Sequence, residues 1–113
     1  RIEEKPFMVI KRDGRREPFD LEKLSKGIER ALEKRPVSTG MIEQIVNEIE
    51  DQAYTKGKST REISTTDLGE LVLDRLHDVD KVAYIRFASV YKHFNDLDEF
   101  VNEVNRLEAK NSD

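Results

Sequence analysis

Six positive side chains fall between positions 11 and 26 of the chain: Lys11, Arg12, Arg15, Arg16, Lys23 and Lys26. Lysine offers a phosphate a point contact and arginine a bidentate one. Asp13-Gly14 lies among them and is a dipeptide that supplies a tight hairpin turn. Asp20, just before the apolar-periodic residues, is a good helix N-cap, so the amides of a helix start face the same neighbourhood. The pattern suits anionic phosphates. It also suits a solvated strand edge that deters pairing with other chains, and charge alone leaves both readings open.

Other constellations are less specific. Ser64-Thr65-Thr66-Asp67 could hold a ligand hydroxyl or phosphate, but hydroxyls at a helix start commonly serve as caps. Gly57-Lys58-Ser59 looks like the end of a phosphate-cradling GxxxxGK[ST] loop, yet Gln52 stands where its first glycine is required. Asp74, Asp78, Asp80, Asp96, Asp98 and Glu99 sit mostly at expected helix ends, where carboxylates act as caps and surface charge. Tyr84, Phe87, Tyr91 and Phe94 recur at helical spacing, giving either core packing or a face on which a purine could stack. No nucleophile–base spacing and no HExxH occurs, so no catalytic residue is expected. Cysteine is absent and His77 and His93 are the only imidazoles, so no metal site is expected in this chain.

The elements that must position these residues follow from periodicity. Phe7-Met8-Val9-Ile10 and Glu17-Pro18-Phe19 predict a hairpin over about 7–12 and 15–19, with Pro18 confining the second strand to an edge. Leu21, Leu24, Ile28, Ala31 and Leu32 predict a first helix that Arg35-Pro36 ends. Met41, Ile42, Ile45, Val46, Ile49 and Ala53 predict a second, capped by Ser38 or Thr39, before a polar loop over 55–60. Leu68, Leu71, Val72 and Leu76 mark a third. Asp80 opens a fourth helix running to about Phe94, apolar around much of its circumference and therefore central in the core or facing a partner chain. Asp96 begins an amphipathic segment with Leu97, Phe100, Val101, Val104 and Leu107, followed by a polar tail from about 109.

Composition bounds the function. The 113 residues fit one domain of ordinary size, and 20 Lys+Arg against 24 Asp+Glu give a net charge of −4. A net acidic domain is a poor candidate for gripping DNA through bulk charge, so a DNA role requires a local basic patch or a further domain. No run reaches the roughly 18 apolar residues of a membrane span. The chain begins with Arg1 and shows no signal-peptide pattern, which is read as a fragment of a longer cytoplasmic protein.

Two separated stretches resemble a known family. Val9-Ile10-Lys11-Arg12-Asp13-Gly14 with Glu17-Pro18-Phe19-Asp20 and Lys23 is similar to the ATP cone, a regulatory nucleotide-binding domain of ribonucleotide reductase large subunits and of the bacterial NrdR family. The run Asp80–Phe94, with Asp96-Leu97-Asp98-Glu99-Phe100, resembles the NrdR version. The resemblance implies an α+β fold, with a small β-hairpin sheet packed on a bundle of four to five helices. Residues 7–95 would form the cone, 96–113 a C-terminal helical segment and tail, and 1–6 a linker from a missing N-terminal zinc ribbon. It further implies a repressor of ribonucleotide reductase genes that senses ATP and dATP, with Mg²⁺ accompanying the phosphates, and forms homo-oligomers. Zn²⁺ and operator DNA would be bound only by the missing ribbon. By position, Val9, Lys11 and Arg12 would lie against base and phosphates. Glu17, Phe19, Asp20 and Lys23 would form the main nucleotide-binding stretch, Thr65 a contact from a helix start, and Tyr84 and Tyr91 part of the pocket. Some reductase cones carry a histidine one turn after that threonine; here the residue is Gly69. The alternatives are a cone from a reductase large subunit and a ligand-free helical interaction module.

Overall fold

The computed structural model describes residues 5–111, with side chains as far as Ala109. Most of the expected linker, residues 1–4, and the last two residues of the expected tail lie outside that range. The elements in order are β1 (Met8–Ile10), β2 (Arg16–Pro18), α1 (Leu21–Ala31), α2 (Thr39–Lys56), β3 (Glu62–Ser64), α3 (Thr65–Val79), α4 (Lys81–Tyr91) and α5 (Leu97–Asn111). The fold is α+β, as the sequence predicts.

The hairpin forms with shorter strands than its apolar pattern predicts, in the register Val9 opposite Glu17. Its turn closes through Lys11 N–H to Arg15 O at 2.7 Å, and Gly14 supplies the left-handed residue at φ 89°. The third strand was not foreseen. β3 pairs parallel to β1, Val9 opposite Ile63, so β1 is central in the order β2-β1-β3 and Pro18 stands on an edge. Three residues are too few to show alternation, and Glu-Ile-Ser reads as loop from sequence. Its neighbours explain it: Ile63 is buried with Phe7, Val9 and Ala53 beneath the sheet.

Helix boundaries follow their caps. Asp20 accepts the Lys23 amide, Ser38 the Met41 amide and Ser64 the Asp67 amide, so each starts its helix. The helix of α2 continues through Thr55 and Lys56, which the polar pattern assigns to a loop, and stops at Gly57. Asp80 ends α3 through its backbone and starts α4 through its side chain, which accepts the Ala83 amide at 2.9 Å. The Arg35 guanidinium grips the same carboxylate at 2.9 and 3.0 Å. The fourth helix stops at Tyr91, short of the expected Phe94, because His93 takes a left-handed conformation at φ 51° and turns the chain toward α5. α5 in turn runs on to Asn111, past the start of the expected polar tail.

The main core gathers Ile28, Ile45, Ile49, Val72, Leu73, Leu76, Ala83 and Ala88 from the first four helices, with Leu107 from α5. Among the residues of α5 with described side chains, only Glu103 and Leu107 are buried. Glu103 accepts the Tyr84 hydroxyl at 2.6 Å and Lys92 Nζ at 3.1 Å. Burial alone would raise its carboxyl pKa, but these bonds outweigh that effect and hold it below the ordinary value of 4.5.

Two outcomes follow for stability. Leu76→Ala removes a wholly buried side chain and is expected to cost about 3 kcal/mol in urea unfolding. The depressed Glu103 pKa means its contribution is complete above pH 4.5 and fades as pH falls through the lower folded-state value. Glu103→Gln should therefore flatten the acid limb of stability against pH, measured by thermal melting below pH 5.

Candidate nucleotide site

A cleft of about 710 Å³ opens where the hairpin, the start of α1, the start of α3 and the end of α4 converge. That size is within the roughly 300–1,000 Å³ of small-molecule sites. Val9 and Lys11 come from β1 and its exit, Glu17 and Phe19 from β2 and the segment after it. Asp20, Lys23 and Leu24 come from the N-terminus of α1, Thr65 and Leu68 from α3, and Phe87 and Tyr91 from α4.

The polar side is an ion-paired set. Lys11 Nζ lies 2.9 Å from Glu17 Oε1 and Lys23 Nζ 3.8 Å from the same oxygen. The bond from Lys11 holds the Glu17 carboxyl below the usual glutamate range, with the nearby positive charges adding to the effect. Two cations share this carboxylate, and Asp20 and Glu22 add two further carboxylates to the lining. The free amides of the α1 N-terminus lie beside it, with Asp20 capping the Lys23 amide at 3.2 Å. Thr65 Oγ1 donates to the carbonyl of Ile10 at 3.2 Å, tying the start of α3 to β1.

The rest of the lining is largely apolar and aromatic. Phe87 and Tyr91 stack with ring centroids 5.9 Å apart at 25°, and Leu21 leaves about 36% of its surface exposed. The Tyr91 hydroxyl donates to the Thr66 carbonyl at 2.7 Å, and Arg12 lies over the Tyr91 ring, 5.2 Å from its centroid, while donating to the Tyr91 carbonyl at 3.0 Å. Tyr91 and Lys11 also border a shallower depression that contains Arg12 and His93. A second cleft of about 660 Å³, with Arg30, Lys34 and Arg86 on its rim, adjoins the first across Gly27, Phe87 and Tyr91.

Of the residues singled out from sequence, Val9, Lys11, Glu17, Phe19, Asp20, Lys23, Thr65 and Tyr91 line the cleft. Arg12 reaches its border through Tyr91. Tyr84 does not join them. It shares a helix face with Tyr91, seven residues and about 10 Å further back along α4, where α5 covers that face. There it is 1% exposed, with its hydroxyl on Glu103. Burial and the Glu103 bond both raise its phenol pKa. Tyr84 is a core residue of this structure. The aromatic spacing also contained Phe87, whose place on the cleft wall was not assigned from sequence. Leu21, Leu24, Leu68 and Val72 likewise escape notice because their spacing is that of ordinary core positions.

Gly69 has a specific reason. A Cβ built there would collide with the Tyr91 ring, so the absent side chain makes room for the ring. Among the described residues, no group of three or more His, Asp or Glu is placed to hold a metal ion. No helix among them is long and apolar enough to cross a membrane.

Cations beside a helix start and a pair of stacked rings line one cleft on a small α+β scaffold, as a nucleotide site requires, and residues 7–97 match the ATP cone domain. A transcriptional repressor NrdR of Treponema denticola is 71% identical over 106 residues, covering 94% of this chain and 70% of that protein. The NrdR repressor of Pelobacter propionicus is 49% identical over 110 residues, covering 97% and 72%. That of Listeria welshimeri is 49% identical over 113 residues, covering 100% and 72%. This chain belongs to the NrdR family of ATP-cone transcriptional repressors. These relatives are named as repressors rather than enzymes.

The Gly69–Tyr91 fit gives a sharp test. Gly69→Ala should displace the ring and lower the melting temperature. In a double-mutant cycle read by urea unfolding, Tyr91→Ala should relieve most of that loss, leaving a coupling of about 1–2 kcal/mol.

Proposed function

We propose that the cleft binds ATP and dATP, and that its occupancy sets the oligomeric state of a repressor of ribonucleotide reductase genes. The observation that carries this reading is that one cleft is lined by both kinds of group a nucleotide needs. Lys11, Lys23 and the α1 amides would form an anion seat, and Phe87 and Tyr91 would offer a flat apolar surface for a purine. Val9 and Phe19 would lie toward the base, Glu17 would align the two lysines, Asp20 would approach the sugar and Thr65 would offer a hydroxyl. Arg12 would reach the phosphates from the side of Tyr91. Mg²⁺ would be held mainly by the phosphates, the usual arrangement for an ion that dehydrates reluctantly.

ATP and dATP differ by one 2′-hydroxyl. A polar group that meets this hydroxyl is left unpaired when dATP binds, a difference of about 1–3 kcal/mol. A difference of that size can shift an oligomer equilibrium that is already poised. In this reading residues 7–95 form the sensing unit and 96–113 a helical appendix. The linker 1–6 leads from a Zn²⁺-binding ribbon that reaches operator DNA in the cytoplasm.

Light scattering after size exclusion, run without nucleotide, with Mg-ATP and with Mg-dATP, tests the reading. The mass is expected to differ between the two nucleotides. Calorimetry should show Lys11→Ala and Lys23→Ala each weakening ATP binding about tenfold or more, the scale of one lost charge-assisted bond of about 1.5–3 kcal/mol. Unaltered binding in both variants would remove these lysines from the phosphate seat.

A further inference from the structure

The charge of the chain is not spread evenly. The segment from Lys56 to Arg61 holds three cations and no carboxylate in a chain of net charge −4. It forms the corner between α2 and β3. Lys5 joins it there, because the Arg61 guanidinium donates to the Lys5 carbonyl at 3.4 Å. Glu62, the next carboxylate along the chain, is occupied by Arg16 at 2.7 Å. Lys56, Lys58 and Arg61 make no ion pair among the described residues. Arg61 also adopts φ 60°, a left-handed conformation that costs a branched or long residue energy and that Gly or Asn takes more readily. Its guanidinium is kept in place by the Phe7 ring, 5.6 Å from the centroid, rather than by an acid. Strain retained for a positioned, unneutralised guanidinium points to a use outside the domain.

We propose that this corner, Lys5, Lys56, Lys58 and Arg61, is a contact surface for the phosphate backbone of duplex DNA. Ser59 lies between Lys58 and Arg61 in the chain, and its hydroxyl adds an uncharged donor of the kind that accompanies phosphate contacts. The inference rests on the reading of the chain as part of a DNA-bound repressor. It assigns DNA contact to the cone itself, through a face distinct from the nucleotide cleft. Such contacts are weak and indifferent to base sequence. They gain weight when a DNA-binding element on the same polypeptide holds the corner at high effective concentration.

The test is an NMR titration of the ¹⁵N-labelled chain with a short duplex of arbitrary sequence. Amide shifts should concentrate at Lys5 and residues 56–61 and be the same for an unrelated sequence. Four phosphate contacts, one for each cation, predict about a 150-fold loss of affinity between roughly 50 and 200 mM salt. Lys56→Gln/Lys58→Gln/Arg61→Gln should abolish the shifts. Because Arg61 touches Phe7, Lys56→Gln/Lys58→Gln serves as a second variant that leaves that contact intact, and it should weaken binding at least fivefold. ATP added to the same samples reports the cleft separately and should bind both variants as it binds the parent chain. If ATP binds but DNA does not, the corner is excluded and the nucleotide reading stands. Shifts at Lys11 and Lys23 in place of the corner, full binding by the variants, or equal binding to anionic phospholipid vesicles would each overturn the proposal.

Discussion

The parallel pairing of β1 with β3 is the constraint on which the rest of the architecture depends. Three residues of β1 hold the hairpin on one side and the strand leading into α3 on the other, with Val9 opposite both Glu17 and Ile63. Because Ser64 ends β3 and caps α3, the register of that short strand fixes where Thr65 emerges. Because Phe19 N–H bonds back to the Phe7 carbonyl at 2.8 Å, the same sheet fixes where α1 begins. The cleft is the space left between two helix starts aimed by one central strand. A slip of one residue would invert the faces of the strand, exposing Val9 and turning Met8 and Ile10 toward the core.

α4 divides one face along its length between core and cleft. Ala83, Tyr84 and Ala88 are buried in the core, whereas Phe87 and Tyr91 face the cleft at its far end. This resolves the apolar circumference seen in the sequence. A helix with so little polar surface need not be reserved for a partner chain when core, α5 and cleft each take part of it. Val90 and Val82 are the exceptions, remaining 71% and 40% exposed.

The sequence makes long elements legible and short ones obscure, for physical reasons. The capping residues Asp20, Ser38, Ser64 and Asp80 announce helix starts because a side-chain oxygen meeting a free amide is a local event that few residue types perform. The hairpin announces itself through Asp13-Gly14 for the same reason. β3 could not be seen, because its partner lies some fifty residues earlier and its three side chains carry no period. The site divides in the same way. Charged residues beside a turn are conspicuous, whereas Leu21, Leu68 and Phe87 look like any core position until the cleft is in view. Tyr84 and Tyr91 are indistinguishable on a helical wheel. Only distance along the axis, and the helix that covers one of them, separates their roles.

The empty place at Gly69 also bears on how the family can change. The Tyr91 ring fills the space in which a side chain at position 69 would stand, and it does so across two helices that meet at Asp80. Neither position is free to drift alone. A lineage that acquires a bulky residue on α3 at this point must first, or at once, give up the ring on α4. A lineage that keeps the ring is bound to glycine. The two positions are therefore sterically tied, and rebuilding this wall of the cleft requires a paired exchange.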